Sequence, residues 1–509
     1  MSSSKNRIFV PLGIFSIFIF ALLIRFWFLP NANINFGFDQ ARDAFAVKEI
    51  LDGDLKIQGP VTNSIPGLNQ GVLFYYLVAP AYLLGNGNPI YATYFLAFLN
   101  ALTIFAVYFL TLLLTKKVLP SIVSGVLFTF SFDALVFSSF LSNVSPAILF
   151  IPLMLAGLLL WINGKKIGPL LTGLFFGLTV QTEVAFGFYL LPIIYWIFRY
   201  KKEVTKKQIF IALTTFILTV SSMILCELKF SFSGIKGIIY LFSSKNALAH
   251  GQEFGEFIIN FLTQSGTRIA NLIFPFNVAL GALLGYVIIA YSLFKQNVKN
   301  SSFNWPLFLS SFIFASLPAL PFGGSTSPYI MIGLLPLMAV FLSIFLWEKI
   351  SNIKVLVVIV FVISLLGATK YILKNTGDDP DYFTKNYLIS KQMQIVDYTY
   401  QKAEGKPFSI STLTMPLYVN TLWSYLYNWY GLEKYGYLPS FRGRDQIDLP
   451  GNNLQKADDK TKTHFFIVEP TYGISEQWII YAYGDQNAVS KLIEEIKLGD
   501  LVVQQRIIY

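Results

Sequence analysis

Asp39, Arg42 and Asp43 share one face of a predicted helix, because residues three and four apart are neighbours on an α-helix. Three chemistries are open to such a set. A carboxylate can take a proton from an attacking hydroxyl. A guanidinium can hold an anion through paired N–H groups. Two carboxylates together could also hold a divalent cation. The structural alternatives are a capping or solvated Asp39, and a salt bridge of Asp43 with Arg42 or Lys48. Glu49 and Asp52 follow on the same predicted helix, which Gly53 and Gly59–Pro60 end.

Other reactive residues are scattered. Asp133 and Glu183 lie at the ends of apolar runs, and boundary carboxylates in a membrane are functional candidates by default. Arg268 directly precedes another apolar run, where interfacial arginines are common. Lys245 and His250 sit in a polar segment. Tyr75 and Tyr76 read first as interfacial anchors and second as pocket lining. Arg25 reads as an arginine whose stem snorkels to the interface. The chain has one cysteine and two histidines, so a disulfide framework, a zinc cluster or a His-based triad is not expected. A divalent metal held by carboxylates stays open.

The elements that position these residues follow from hydropathy. Of the 509 residues 54% are hydrophobic and 13% charged, and the mean hydropathy is +0.57. Soluble domains carry about a quarter charged residues. An integral membrane protein is therefore expected. Spanning helices need roughly 20 apolar residues. The apolar stretches fall at 8–29, 90–115, 119–138, 146–162, 168–181, 184–198, 208–226, 272–294, 305–320, 328–347 and 355–373, eleven in all. The first is too long for a signal-peptide core and reads as a retained helix. Basic clusters at Lys116/Lys117, Lys165/Lys166, Arg199 to Lys207, Lys295/Lys299 and Lys349/Lys354 all fall on one side of an eleven-span layout. That side is expected to be the cytoplasm, together with the N-terminus. Residues 30–89, 227–271 and everything after about 374 are then expected outside the cell.

Charge placement agrees. The first 380 residues hold 25 basic and 14 acidic side chains, against 13 and 14 beyond. No basic stripe with interleaved aromatics marks a nucleic-acid surface. The polar stretch 376–382 suggests a boundary between a membrane domain, 1–375, and a small α/β domain, 376–509. In that domain 407–412, 464–470, 477–483 and 501–509 read as strands. Residues 385–403 and 486–498 read as amphipathic helices. The aromatic stretch 422–439 could pack against the membrane part or stack on sugars. The helix over Asp39–Asp52 is expected to lie in the interface plane, apolar side toward lipid. No internal repeat is evident and the helix cores carry almost no charge, which weighs against a transporter.

Motifs in 25–90 add a resemblance. Arg25 ends a membrane helix, Phe38–Asp39–Gln40 follows, then Gly71–Val72–Leu73–Phe74–Tyr75–Tyr76, then Gly87–Asn88–Pro89. This order resembles the first outer loop of the GT-C superfamily of membrane glycosyltransferases, such as protein mannosyltransferases and the lipid A aminoarabinose transferase. Weaker matches are Ser142 to Pro146, and Tyr329 with Pro336. Gln40 stands where the family usually has a second acid. Gln70–Gly71–Val72 replaces the Pro or Lys that often heads the aromatic run.

The resemblance implies an all-α polytopic membrane domain with an extracytoplasmic α/β domain. It implies transfer of a sugar from a polyprenyl-phosphate donor to a lipid, glycan or protein acceptor, with inversion. Asp39 would be the general base; Asp43, Asp133 and Glu183 are possible second acids. Arg42, Lys245, His250 and Arg268 are candidates for the donor phosphate, and Tyr75 and Tyr76 for the donor pocket. The alternatives are a polysaccharide polymerase or ligase, a lipid-linked glycan transporter, or a non-catalytic relative.

Overall fold

The structure is a computed structural model. It describes residues 3–62, 65–243, 254–298, 303–317, 328–374, 387–451, 453–471 and 473–509. Helix α1 (Ser3–Phe26) leads to α2 (Phe38–Leu51) and α3 (Leu73–Leu84). The long α4 (Pro89–Thr115) starts at Asn88, whose side chain caps the Ile90 N–H, with Pro89 in the first turn. That is the favoured chemistry of a helix start. Next come α5 (Val118–Phe130), α6 (Phe132–Val136), α7 (Ala147–Ile162), α8 (Gly168–Thr182) and α9 (Leu190–Arg199). They are followed by α10 (Lys206–Thr219), α11 (Ser221–Lys229), α12 (Ser233–Ser243), α13 (Phe254–Ile273) and α14 (Val278–Val298). Helices α15 (Trp305–Ile313), α16 (Leu334–Lys349) and α17 (Ile353–Lys374) complete this part.

Every one of the eleven apolar stretches contains helix, but length separates them. Among the described residues four helices are long and apolar enough to cross a membrane, or six if two bent pairs each count as one span. The pairs break by 60° between α5 and α6 and by 58° between α10 and α11. At the first break Ser131 leaves the helical region, at ψ 129°. Helix α9 is preceded by a 3-10 turn, Val184–Tyr189, and Glu183 is extended there, so α8 and α9 do not fuse. The segment 227–271, expected as an outer loop, holds α12 and most of α13. Helix α13 is amphipathic, so its run of mixed residues does not register as an apolar span. The chain is a multi-pass membrane protein.

The C-terminal part holds α18 (Ile389–Ala403), β1 (Ser409–Leu413), α19 (Thr421–Leu426), α20 (Leu432–Tyr435), β2 (Ser440–Phe441), β3 (Thr463–Val468), α21 (Glu476–Val489), β4 (Ser490–Leu498) and β5 (Leu501–Ile508). Their sheet has the order β2-β1-β3-β5-β4. β1 is parallel to β2 and β3; β5 runs antiparallel to β3 and β4.

Two expectations exchange places here. The apolar run 477–483 is helical and 490–498 is a strand. In α21 only Ala482 is buried, so the run is an exposed helix and not a core strand. β4 is an edge strand with a bulge between Leu492 and Glu494. The bulge breaks the two-residue alternation that identifies a strand, and its exposed Lys491, Glu495 and Lys497 blunt the edge.

The expected domain boundary lies outside the described residues. One apolar core nevertheless joins Phe36, Phe45, Tyr75 and Tyr82 to Trp423, Tyr425, Ile410 and Phe465. The sheet domain and the segment between α1 and α4 thus share buried surface.

Candidate functional site

Helix α2 is held at both its start and its apolar face. The Gly37 N–H donates to Gln40 Oε1 at 3.0 Å, a side-chain cap of a free helix N–H. The amide of Gln40 then donates to the Leu141 carbonyl at 3.0 Å. Ala41, Ala44, Phe45 and Val47 are buried. They face protein, not lipid as expected, because the C-terminal domain supplies an aromatic wall. Phe45 meets Tyr425 edge-on at 5.1 Å.

The polar face carries the candidate acid. Arg42 donates from Nε and Nη2 to Asp43 Oδ1 at 2.9 and 2.7 Å. Its Nη1 donates to Asp39 Oδ1 at 2.7 Å. Tyr75 Oη donates to Asp43 Oδ1 at 3.4 Å. The two acids differ in exposure: the Asp39 side chain is 62% exposed and that of Asp43 only 7%. Burial pushes the Asp43 carboxyl up to about 6, with the Arg42 guanidinium opposing it. Asp39 Oδ2 has no hydrogen-bond partner among the described residues.

The remaining candidates fall in two other places. Asp133 on α6 pairs with Arg268 on α13 at 3.2 Å. Asn271 Nδ2 donates to Asp133 Oδ1 at 2.8 Å. Lys370 Nζ on α17 donates to Asn271 Oδ1 and to the Pro275 carbonyl, both at 2.8 Å. Lys370 was not anticipated; its one signal in the sequence is its place near the end of the last apolar run. Glu183 accepts from Gln70 Nε2 at 2.7 Å, and the Val184 N–H donates to Gln70 Oε1 at 2.7 Å.

Tyr75 is buried behind Asp43, whereas Tyr76 donates to the Lys56 carbonyl at 2.8 Å and is part exposed. Lys245 and His250 lie outside the described residues. Arg25 does not snorkel. It is fully buried and donates to Asn100 Oδ1 at 2.8 Å and to the Ala21 and Thr129 carbonyls. Asn100, one helix away, supplies the acceptor that makes burial tolerable. Among the described residues no three His, Cys, Asp or Glu side chains group as metal ligands. Between Asp39 and Asp43 the cation present is the Arg42 guanidinium.

No family model and no curated protein matches the sequence. Solved structures do. ArnT of Cupriavidus metallidurans bound to undecaprenyl phosphate is similar with a TM-score of 0.56 at 9% identity, over 99% of this chain and 98% of that one. Its apo state gives 0.58 at 11% identity with the same coverage. The oligosaccharyltransferase AglB of Archaeoglobus fulgidus gives 0.46 at 12% identity, over 90% of this chain and 69% of that one. ArnT is an aminoarabinose transferase of the GT-C fold. Nearly the whole of this chain follows the ArnT fold: the chain is a GT-C fold membrane protein.

Proposed function

We propose that the protein is a membrane glycosyltransferase that moves a sugar from a polyprenyl-phosphate donor to an acceptor outside the membrane, with inversion. One observation carries this reading. On helix α2 of a GT-C fold, Asp39 presents a solvent-facing carboxylate, and a half-buried Arg42 that is itself held by Asp43 fixes its orientation. The undecaprenyl phosphate of the ArnT complex supports the donor class.

The acceptor hydroxyl gives its proton to Asp39 Oδ2 as its oxygen attacks the anomeric carbon. The bond from that carbon to the phosphate oxygen breaks on the opposite face. Polyprenyl phosphate leaves with the electron pair, already an anion, so no general acid is needed. Charge on the leaving phosphate needs fixed cations. Arg268 and Lys370, around Asp133, are the cations assigned to it. Gln40 and Gln70 have structural duties, so the family departures at these positions leave Asp39 in place.

The test is transfer by purified protein from a panel of polyprenyl-phosphate sugars, wild type against Asp39→Asn. Turnover that is equal in both removes Asp39 as the base. Orientation has its own test. Cys226 is buried, so a cysteine introduced near residue 450 gives a clean label from outside intact cells. Protection there would place the C-terminal domain inside.

A further inference from the structure

A groove of about 510 Å³ opens between α2, α3 and the segment 425–433 of the C-terminal domain. Small-molecule sites run to roughly 300–1,000 Å³. It is lined by the buried Phe45, Tyr82 and Tyr425, by Trp429, and by Lys48 and Asp52. At roughly 3.6 residues per turn, Ala44, Lys48 and Leu51 lie on the half of α2 turned away from Asp39. The groove is therefore separate from the carboxylate site, one helix width of about 10–12 Å away.

We propose that this groove binds a neutral saccharide. The inference extends the transferase reading by naming the class of acceptor, a glycan of more than one sugar. The lining chemistry selects the class. Sugars present apolar C–H faces and a rim of hydroxyls that both donate and accept. Trp429, part exposed, offers an aromatic face, and the buried Tyr425 ring supports it with centroids 6.3 Å apart and 31° between planes. The side-chain amides of Asn86 and Asn428 make no hydrogen bond among the described residues, and amides match hydroxyls in both roles. Charge argues against an anion: Lys48 already pairs with Asp52 at 3.5 Å, and Glu433 adds a negative charge. Five polar side chains in the lining argue against an acyl chain.

The lining is built with close tolerance. Tyr425 Oη donates to the Gly87 carbonyl at 2.6 Å. Gly87 has φ +84°, and a Cβ there would come within 3.1 Å of Trp429 Cδ1. Glycine thus lets the indole seat against the α3–α4 turn.

The test uses protein in nanodiscs and Trp fluorescence with mannotriose, galactotriose and N,N′,N″-triacetylchitotriose as probes. At least one trisaccharide is expected to change the emission saturably. Trp429→Ala and Asn86→Ala should each weaken binding roughly tenfold or more, the scale of losing an anchoring contact. For Trp429→Ala, isothermal calorimetry replaces the fluorescence readout. Trp478→Ala, on exposed α21, should leave binding unchanged. No donor is present, so failure of the transfer assay does not affect this result. The proposal is overturned if no trisaccharide binds. It is also overturned if binding survives both variants, or if hexadecyl phosphate displaces the saccharide.

Discussion

Asp43 turns Arg42 toward Asp39. One oxygen of the buried acid accepts both Nε and Nη2 of the guanidinium, at 2.9 and 2.7 Å, which leaves Nη1 aimed along the helix face at Asp39, 2.7 Å away. One carboxylate is thus structural and one is presented to solvent. The division of labour follows from burial and not from sequence distance.

Asp39→Asn should cost about 10²–10⁴-fold in turnover, the usual worth of a general base. Its stability should stay within about 0.5 kcal/mol of wild type, since the side chain is largely exposed. Steady-state rates and thermal unfolding of the same preparation check both. A loss of turnover that merely tracks unfolding would leave Asp39 a structural residue.

Asp43 should set an acid limb. Its carboxyl, lifted to about 6 in the folded protein, has an unfolded value of roughly 3.9. A raised carboxyl binds its proton more tightly when folded. Its contribution to stability is therefore full below about pH 4 and is lost as pH rises through about 6. Activity runs the other way: only the ionised form grips Arg42, so turnover should fall as pH drops below about 6. Asp43→Asn should be slow and flat across that range. A pH–rate profile of the variant that keeps the limb would assign it to another group.

Gly71→Ala should destabilise by about 1–3 kcal/mol, as overpacking does. A Cβ there would overlap the Gln181 side chain and come within 2.7 Å of the Gln181 carbonyl oxygen. Gln70→Ala should cost a similar roughly 1–3 kcal/mol, because Glu183 and the Val184 N–H lose their partner. Thermal unfolding in detergent reads both. Neutral behaviour of both variants would mean the Gln70–Glu183 contact does not hold the loop to α8.

Glu469 should make the sheet domain pH-sensitive. It is buried and accepts from Tyr387 Oη, Trp423 Nε1 and the Met415 N–H at 2.9–3.0 Å. Burial lifts it to about 7, above an unfolded value of roughly 4.3. Its stabilisation is complete below about pH 4 and is lost as pH rises through about 7. Glu469→Gln should remove that slope in denaturant unfolding followed at pH 5 and pH 8. A slope that persists in the variant would place it elsewhere.

How much was legible depended on the range of each interaction. Helix α2, its polar face and the i, i+4 pair of acids were readable because helical spacing is local. So were β1, β3 and β5, whose apolar runs are central. α21 and β4 were exchanged because an exposed apolar helix and a bulged edge strand each imitate the other's pattern. Arg25 was misread because its partner, Asn100, is 75 residues away.

Composition and motif order by themselves determined a membrane protein, the GT-C resemblance and Asp39 as the acid to test. These are properties of hydropathy and short spacing, which a linear chain carries directly. Only the tertiary structure decided which acid is exposed, that Lys370 joins Asp133 and Arg268, that Gln40 and Gln70 hold loops together, and that α2 leans on Tyr425 and not on lipid. Each of these depends on burial and on partners brought from far along the chain, and neither exists until the chain is folded.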